Sequence, residues 1–140
     1  MPFESHWYVP RAVIYSRFTG ATTEEDIVRH AQTLDALIAE SDRPQVHVLV
    51  DSSAVTKPLP FTATIRAVRV TPSNERAGWV VTVGEQDPMI KFISDMARQI
   101  MKLRTRNFKT RDEALDFLKD IDDTVDWSQA HGDVLTSGST

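Results

Sequence analysis

The sequence contains no cysteine. That absence removes disulfides, thiolate metal sites and cysteine nucleophiles, and with them any reason to invoke an oxidising compartment. Glycine is scarce, with five in 140 residues. None of the five falls in a GxGxxG turn, a GxSxG elbow or a P-loop, so the chemistries built on those backbone shapes have no local signature here. The histidines His6, His30, His47 and His131 include no pair at a spacing of two, three or four, which argues against a local zinc site. Long hydrophobic runs are missing as well. No 18 apolar residues occur in succession, and "MPFESHWYVPRAV" has neither a basic region nor a long apolar stretch, so a cytoplasmic chain with no membrane span is expected. Basic residues are outnumbered 16 to 20, and the formal charge of −4 argues against general nucleic-acid binding, which calls for a basic surface.

What is present is the composition of a folded domain. Hydrophobic residues make up 41% and charged residues 26%, enough apolar material to offset the entropy of ordering. A chain of 140 residues matches one domain that buries about two-thirds of its unfolded surface.

Along the chain the hydrophobic period alternates. "ESHWYV" and "AVIYSRF" are rich in aromatic and β-branched residues around Pro10 and Arg11, which predicts an antiparallel hairpin. From Thr22 and Thr23, either of which suits a helix N-cap, Ile27, Val28, Ala31, Leu34, Leu37 and Ile38 recur at helical spacing. "QVHVLVD" is a nearly continuous apolar run, the pattern of a strand buried on both faces, and "GWVVTVG" repeats it. Helices are predicted over "FTATIRAVRV" and "PMIKFISDMARQIMKLR", the latter with Pro88 in its first turn. "RNFK" reads as an edge strand, and "TRDEALDFLKDI" as a closing helix with Thr110 and Glu113 at capping-box spacing. The expected domain runs over 1–122, followed by a polar, mobile tail over 123–140.

The order ββαβαβαβα implies an α/β fold: a mixed, mostly parallel five-stranded sheet with about four helices, entered by one antiparallel strand. Three landmarks sit in that frame: an apolar strand ending in an acid, "VHVLVDSSAV"; a strand and long helix, "WVVTVGEQDPMIKFISDMARQIM"; and a last strand with a capped helix, "RNFKTRDEALDFL". In these the chain resembles the STAS domain, the SpoIIAA-like fold of bacterial anti-sigma-factor antagonists and of the cytoplasmic domains of sulfate transporters, over roughly residues 3 to 121. The resemblance implies a regulatory, non-enzymatic module that docks another protein. It also implies a phosphorylatable serine or threonine at the N-terminus of the second helix, where free amides and the helix dipole favour phosphate.

The matching position here falls in "KPLPF", and the family's Asp-Ser pair is missing. Ser52 and Ser53 lie too early, at the expected strand end, and Thr62 lies slightly late. The chain is therefore expected to lack the serine switch. Asp51, Ser52, Ser53, Lys57 and Thr62 remain the candidate binding residues around this loop. A receiver-type role for Asp51 would need an acidic pair after the first strand, and "WYVPRAV" has no acid. Asp51 is instead expected to accept backbone amides from the turn "SSAV". His47 is expected to be a hydrogen-bonded core residue. No cofactor and no metal are implied.

Two further features bear on partners. "KLRTRNFKTR" holds Lys102, Arg104, Arg106, Lys109 and Arg111 with no acid, a candidate patch for an anionic partner as well as a helix end and a guarded edge strand. Phe92, Met96 and Met101 widen the apolar stripe of the expected third helix, and an exposed part of it would suit a homodimer or another protein. Two functions stay open: a STAS-like interaction module, and a small-molecule or lipid-binding domain on the same fold.

Overall fold

The computed structural model describes residues 3–57, 59–60, 62–63, 66–67, 75–84 and 104–132. The chain opens with a hairpin of β1 (Phe3–Val9) and β2 (Val13–Ala21). Its turn is type II: Ala12 N–H donates to the Val9 carbonyl at 3.0 Å, Pro10 supplies the fixed φ, and Arg11 takes the left-handed conformation at φ 64°. Helix α1 (Glu24–Ala39) follows, started by a capping box in which Thr23 Oγ1 accepts from Asp26 N–H and the Asp26 carboxylate accepts from Thr23 N–H. Strands β3 (Val46–Lys57), β4 (Ala77–Val83) and β5 (Thr105–Phe108) complete the sheet, and α2 (Arg111–Ile121) and a short 3-10 turn at Trp127–Gln129 close the described chain.

The five strands lie in the order β1-β2-β3-β4-β5. β1 pairs antiparallel with β2, and every other pair is parallel. This is the mixed sheet expected from the sequence. Each face carries its own core. On one, Ile38 of α1 meets Ile14, Val46 and Val48. On the other, Ala114, Leu115 and Leu118 of α2 cover Val13, Tyr15, Leu49, Val81 and Val83. The alternation of β2 and β3 assigns consecutive residues to opposite cores, which is why both strands read as continuous apolar runs.

Several expectations need correction. β3 does not end at Asp51 but continues to Lys57, because the long β2 offers it a parallel partner as far as Ala21. Asp51, Ser52 and Ser53 are therefore strand residues and not the start of a loop. Val81 is fully buried, whereas Val50 and Trp79 are only half-buried, packed at the rims of the two cores. In α1 the buried positions are Asp26, His30 and Ile38, while Ile27, Val28 and Ala31 are partly exposed. Thr110 caps α2 by accepting from Glu113 N–H. The segment after Asp122 is not free of the domain: Val125 is buried among the α2-face residues, and Trp127 and Ala130 pack against them. Of the helix expected over 88–104, residues 88–103 lie outside the described residues, as do 133–140, and Arg104 is not helical. Of the one expected over 61–70, residues 62, 63, 66 and 67 are described, with helical backbone.

Candidate functional site

The carboxyl end of a parallel sheet is where loops diverge and functional groups gather. Here that end is marked by a bulge. Arg17 pairs with Asp51 and Thr19 with Ala54, so β3 spends three steps where β2 spends two. The extra residue interrupts the ladder, and the Asp51 side chain takes up what is released: its Oδ1 accepts from Ser53 N–H at 2.9 Å and from Ser53 Oγ–H at 2.6 Å. Its Oδ2 accepts from the Tyr15 hydroxyl at 2.9 Å. The carboxylate is only 5% exposed and accepts three internal hydrogen bonds. Gly84, at the end of β4, passes close against the bulge. It has φ +82°, and a Cβ there would lie 2.6 Å from Ser53 N.

Tyr15 is 1% exposed. Burial, together with the neighbouring Asp51 carboxylate, pushes its phenol up to about 12, against an opposing pull from Arg111 in the first turn of α2. The hydroxyl is thus a fixed donor at neutral pH. Burial and the charge of Asp112 likewise raise Tyr8, again opposed by Arg111.

A second polar cluster lies at the amino end of the same strand. His47 is 2% exposed. Its Nδ1 accepts from Trp79 N–H at 3.0 Å, which leaves Nε2–H to donate to Asp122 Oδ2 at 2.8 Å. The role expected for His47 therefore holds. Asp122 also accepts from Thr124 through both N–H and Oγ–H, and Arg43 reaches Thr124 Oγ1 at 2.6 Å. Burial works to raise the Asp122 carboxyl, but the hydrogen bonds from Thr124 and His47 outweigh it and hold the group below the usual carboxylate range. Gly78 makes room for His47, since any Cβ there would overlap the ring. Beside this cluster opens a cleft of about 680 Å³ lined by Arg43, Pro44, His47, Trp79, Ile121 and Asp122, among others.

A third cluster joins α1 to the hairpin on the opposite face. Ser16 Oγ lies 2.8 Å from both Ser5 Oγ and His30 Nε2, and the rings of Phe3 and Phe18 stand edge-on to His30. Burial lowers His30 to about 4, so it is neutral at ordinary pH. A serine beside a neutral histidine resembles a nucleophile and its base, yet Ser16 is 0% exposed and a substrate could not reach it.

Of the residues singled out in the sequence, the structure brings together Asp51, Ser53 and Arg111. Ser52 is half-buried, and Lys57 and Thr62 are exposed. Of the basic stretch, Arg111 turns to Tyr15, and Arg106 lies over the rings of Phe108 and Phe117 at 5.3 and 5.1 Å from their centres. Arg104 and Lys109 are exposed, and Lys102 lies outside the described residues. Tyr15, Ser16 and His30 were not singled out. A tyrosine and a serine in a strand buried on both faces were the available signal, because each needs a partner for its hydroxyl. Among the described residues no group of three or more histidines and acids is arranged to hold a metal ion, and no helix is long and apolar enough to cross a membrane.

A mixed five-stranded sheet with consecutive strand order and helices on both faces defines an α/β domain of STAS type. The SpoIIAA-like family model matches residues 13–119, and the chain belongs to that family. It is similar to an uncharacterised protein of the DUF3478 family with a SpoIIAA-like fold from Shewanella loihica PV-4, at 16% identity and a TM-score of 0.59, over 83% of this chain and 93% of that one. It is also similar to the anti-sigma factor antagonist SpoIIAA in its unphosphorylated form, at 11% identity and a TM-score of 0.50, over 84% and 97% of the two chains. No curated protein matches significantly.

Proposed function

We propose that this chain is a cytoplasmic, non-enzymatic interaction module of STAS type, which regulates by docking another protein and carries no serine phosphoswitch. One observation carries the reading. At the strand end where a switching member would lead into its acceptor loop, β3 runs on to Lys57, and Asp51 is held by Tyr15 and by both donors of Ser53. The Ser53 hydroxyl donates to a buried carboxylate, so phosphate on that oxygen would set two anions against each other. Incubation with an anti-sigma kinase and ATP is expected to leave the mass unchanged. A stoichiometric phosphate on Ser52, Ser53 or Thr62 would overturn the absence of a switch.

A small-molecule or lipid-binding role is the second reading, favoured by the cleft beside His47 and Trp79. Native mass spectrometry of protein purified from its source separates the two. A clean apo mass, alone or as a homodimer, supports docking, and a retained small ligand supports the second reading.

A further inference from the structure

We propose that residues 122–132 form a strap that closes over the α2 face of the sheet and opens as one unit hinged at Asp122, a device that goes beyond the docking role above. Three kinds of contact hold the strap. Its root is polar: Asp122 accepts from His47 and Thr124, and Arg43 donates to Thr124 Oγ1. Its middle is apolar: Val125 is 6% exposed among the α2-face residues, and Trp127 packs on the same core with the Lys119 ammonium 5.8 Å from its ring centre. Its far end is one backbone bond, His131 N–H to the Tyr8 carbonyl at 2.6 Å. Between root and tip the chain bonds mostly to itself, as in Ser128 N–H to the Asp126 carboxylate and Ala130 N–H to the Trp127 carbonyl. Those local bonds survive when the strap lifts, so among the described residues opening breaks the root, the apolar middle and the tip.

The closed state also carries a cost concentrated in this place. Among the described residues, the buried side-chain polar atoms left without a hydrogen-bond partner are Arg43 Nε and Trp127 Nε1. One belongs to the arginine that grips the root and the other to the strap itself. A buried donor without an acceptor would regain water on opening, so both atoms favour release. Opening uncovers the part of the α2-face core against which Val125, Trp127 and Ala130 otherwise pack.

Hydrogen exchange of the full chain, read by mass spectrometry, tests this with the His131 amide as reporter. In the wild type, residues 124–131 should exchange at least about tenfold faster than β3, as a sub-global opening requires. Asp122→Ala removes the root and Val125→Ala loosens the middle. Each should speed exchange at His131 by about tenfold, leave β2 and β3 unchanged, and raise fluorescence of anilinonaphthalene sulfonate. Strap amides exchanging at the rate of β3 in the wild type would overturn the proposal. So would an effect of Asp122→Ala that stops at Thr124 without reaching His131, or one that speeds β3 equally.

Discussion

His47 and Asp51 lie four residues apart on β3, face the same core and are both nearly excluded from water. They solve the same problem differently. Asp51 is satisfied largely by its own neighbour, Ser53, through a bulge in its own strand, with one long-range donor in Tyr15. His47 is satisfied by groups 32 and 75 residues away, the Trp79 amide and the Asp122 carboxylate. The first arrangement shapes a strand end; the second ties three elements together. A glycine abuts each arrangement, Gly84 just past β4 against Ser53 and Gly78 within β4 against His47.

The two glycines give the largest expected difference. Gly84→Ala meets main chain at the bulge and must adopt a positive φ, two penalties that together lower the unfolding free energy by about 4 kcal/mol. Gly78→Ala meets only a side-chain ring and should cost about 2 kcal/mol. Urea denaturation of both variants reads the order directly, and equal losses would mean that the bulge is no more rigid than the histidine.

Next comes acid sensitivity, carried by His30 on the opposite face. Because folding lowers its pKa from 6.5 to about 4, the unfolded state binds the proton first as pH falls. Stability is then full above pH 6.5 and declines by about 3 kcal/mol as pH approaches 4. His30→Gln should flatten that limb; a wild-type slope in this variant would move the effect elsewhere. Asp122, whose carboxyl is depressed, contributes stability that is lost only below the carboxylate range, outside this window.

Asp51→Ala leaves the Tyr15 hydroxyl and two Ser53 donors without their acceptor and should cost about 2 to 3 kcal/mol. Asp51→Asn keeps an accepting oxygen and should cost about 1 kcal/mol. Were both variants to keep wild-type stability while losing a partner, the carboxylate would be a binding group and not a structural one. Lys57→Ala and Thr62→Ala, both at exposed positions, should stay within about 0.5 kcal/mol, which thermal unfolding can confirm.

The contrast between His47 and Asp51 also marks how far the sequence could be read. Strand and helix periods, the hairpin and both helix caps were legible, because each depends on residues within a few positions of one another. That Asp51 accepts a nearby amide was legible for the same reason. Its place inside a strand was not, since "VDSSAV" reads as an exit unless the length of the neighbouring β2 is known. The partner of His47 lay 75 residues away with no spacing to announce it. Ser16 and His30 were hidden in the same manner, each unremarkable until α1 is folded against the hairpin. Val125 and Trp127 looked like tail residues because the segment around them is polar and acidic, and only the folded α2-face core gives them a use.

The strand order has a consequence for synthesis. Every neighbour in the sheet is also a neighbour in sequence, so each strand, as it leaves the ribosome, finds its partner already made. The hairpin, whose pairing spans few residues, supplies the first template, and each later parallel strand adds to one exposed edge without displacing an earlier one. Growth in this direction keeps the unfinished edge to a single strand at any moment. The last one added, β5, is four residues long, carries Arg106 and follows directly on Arg104, so the finished edge offers little for another chain to copy.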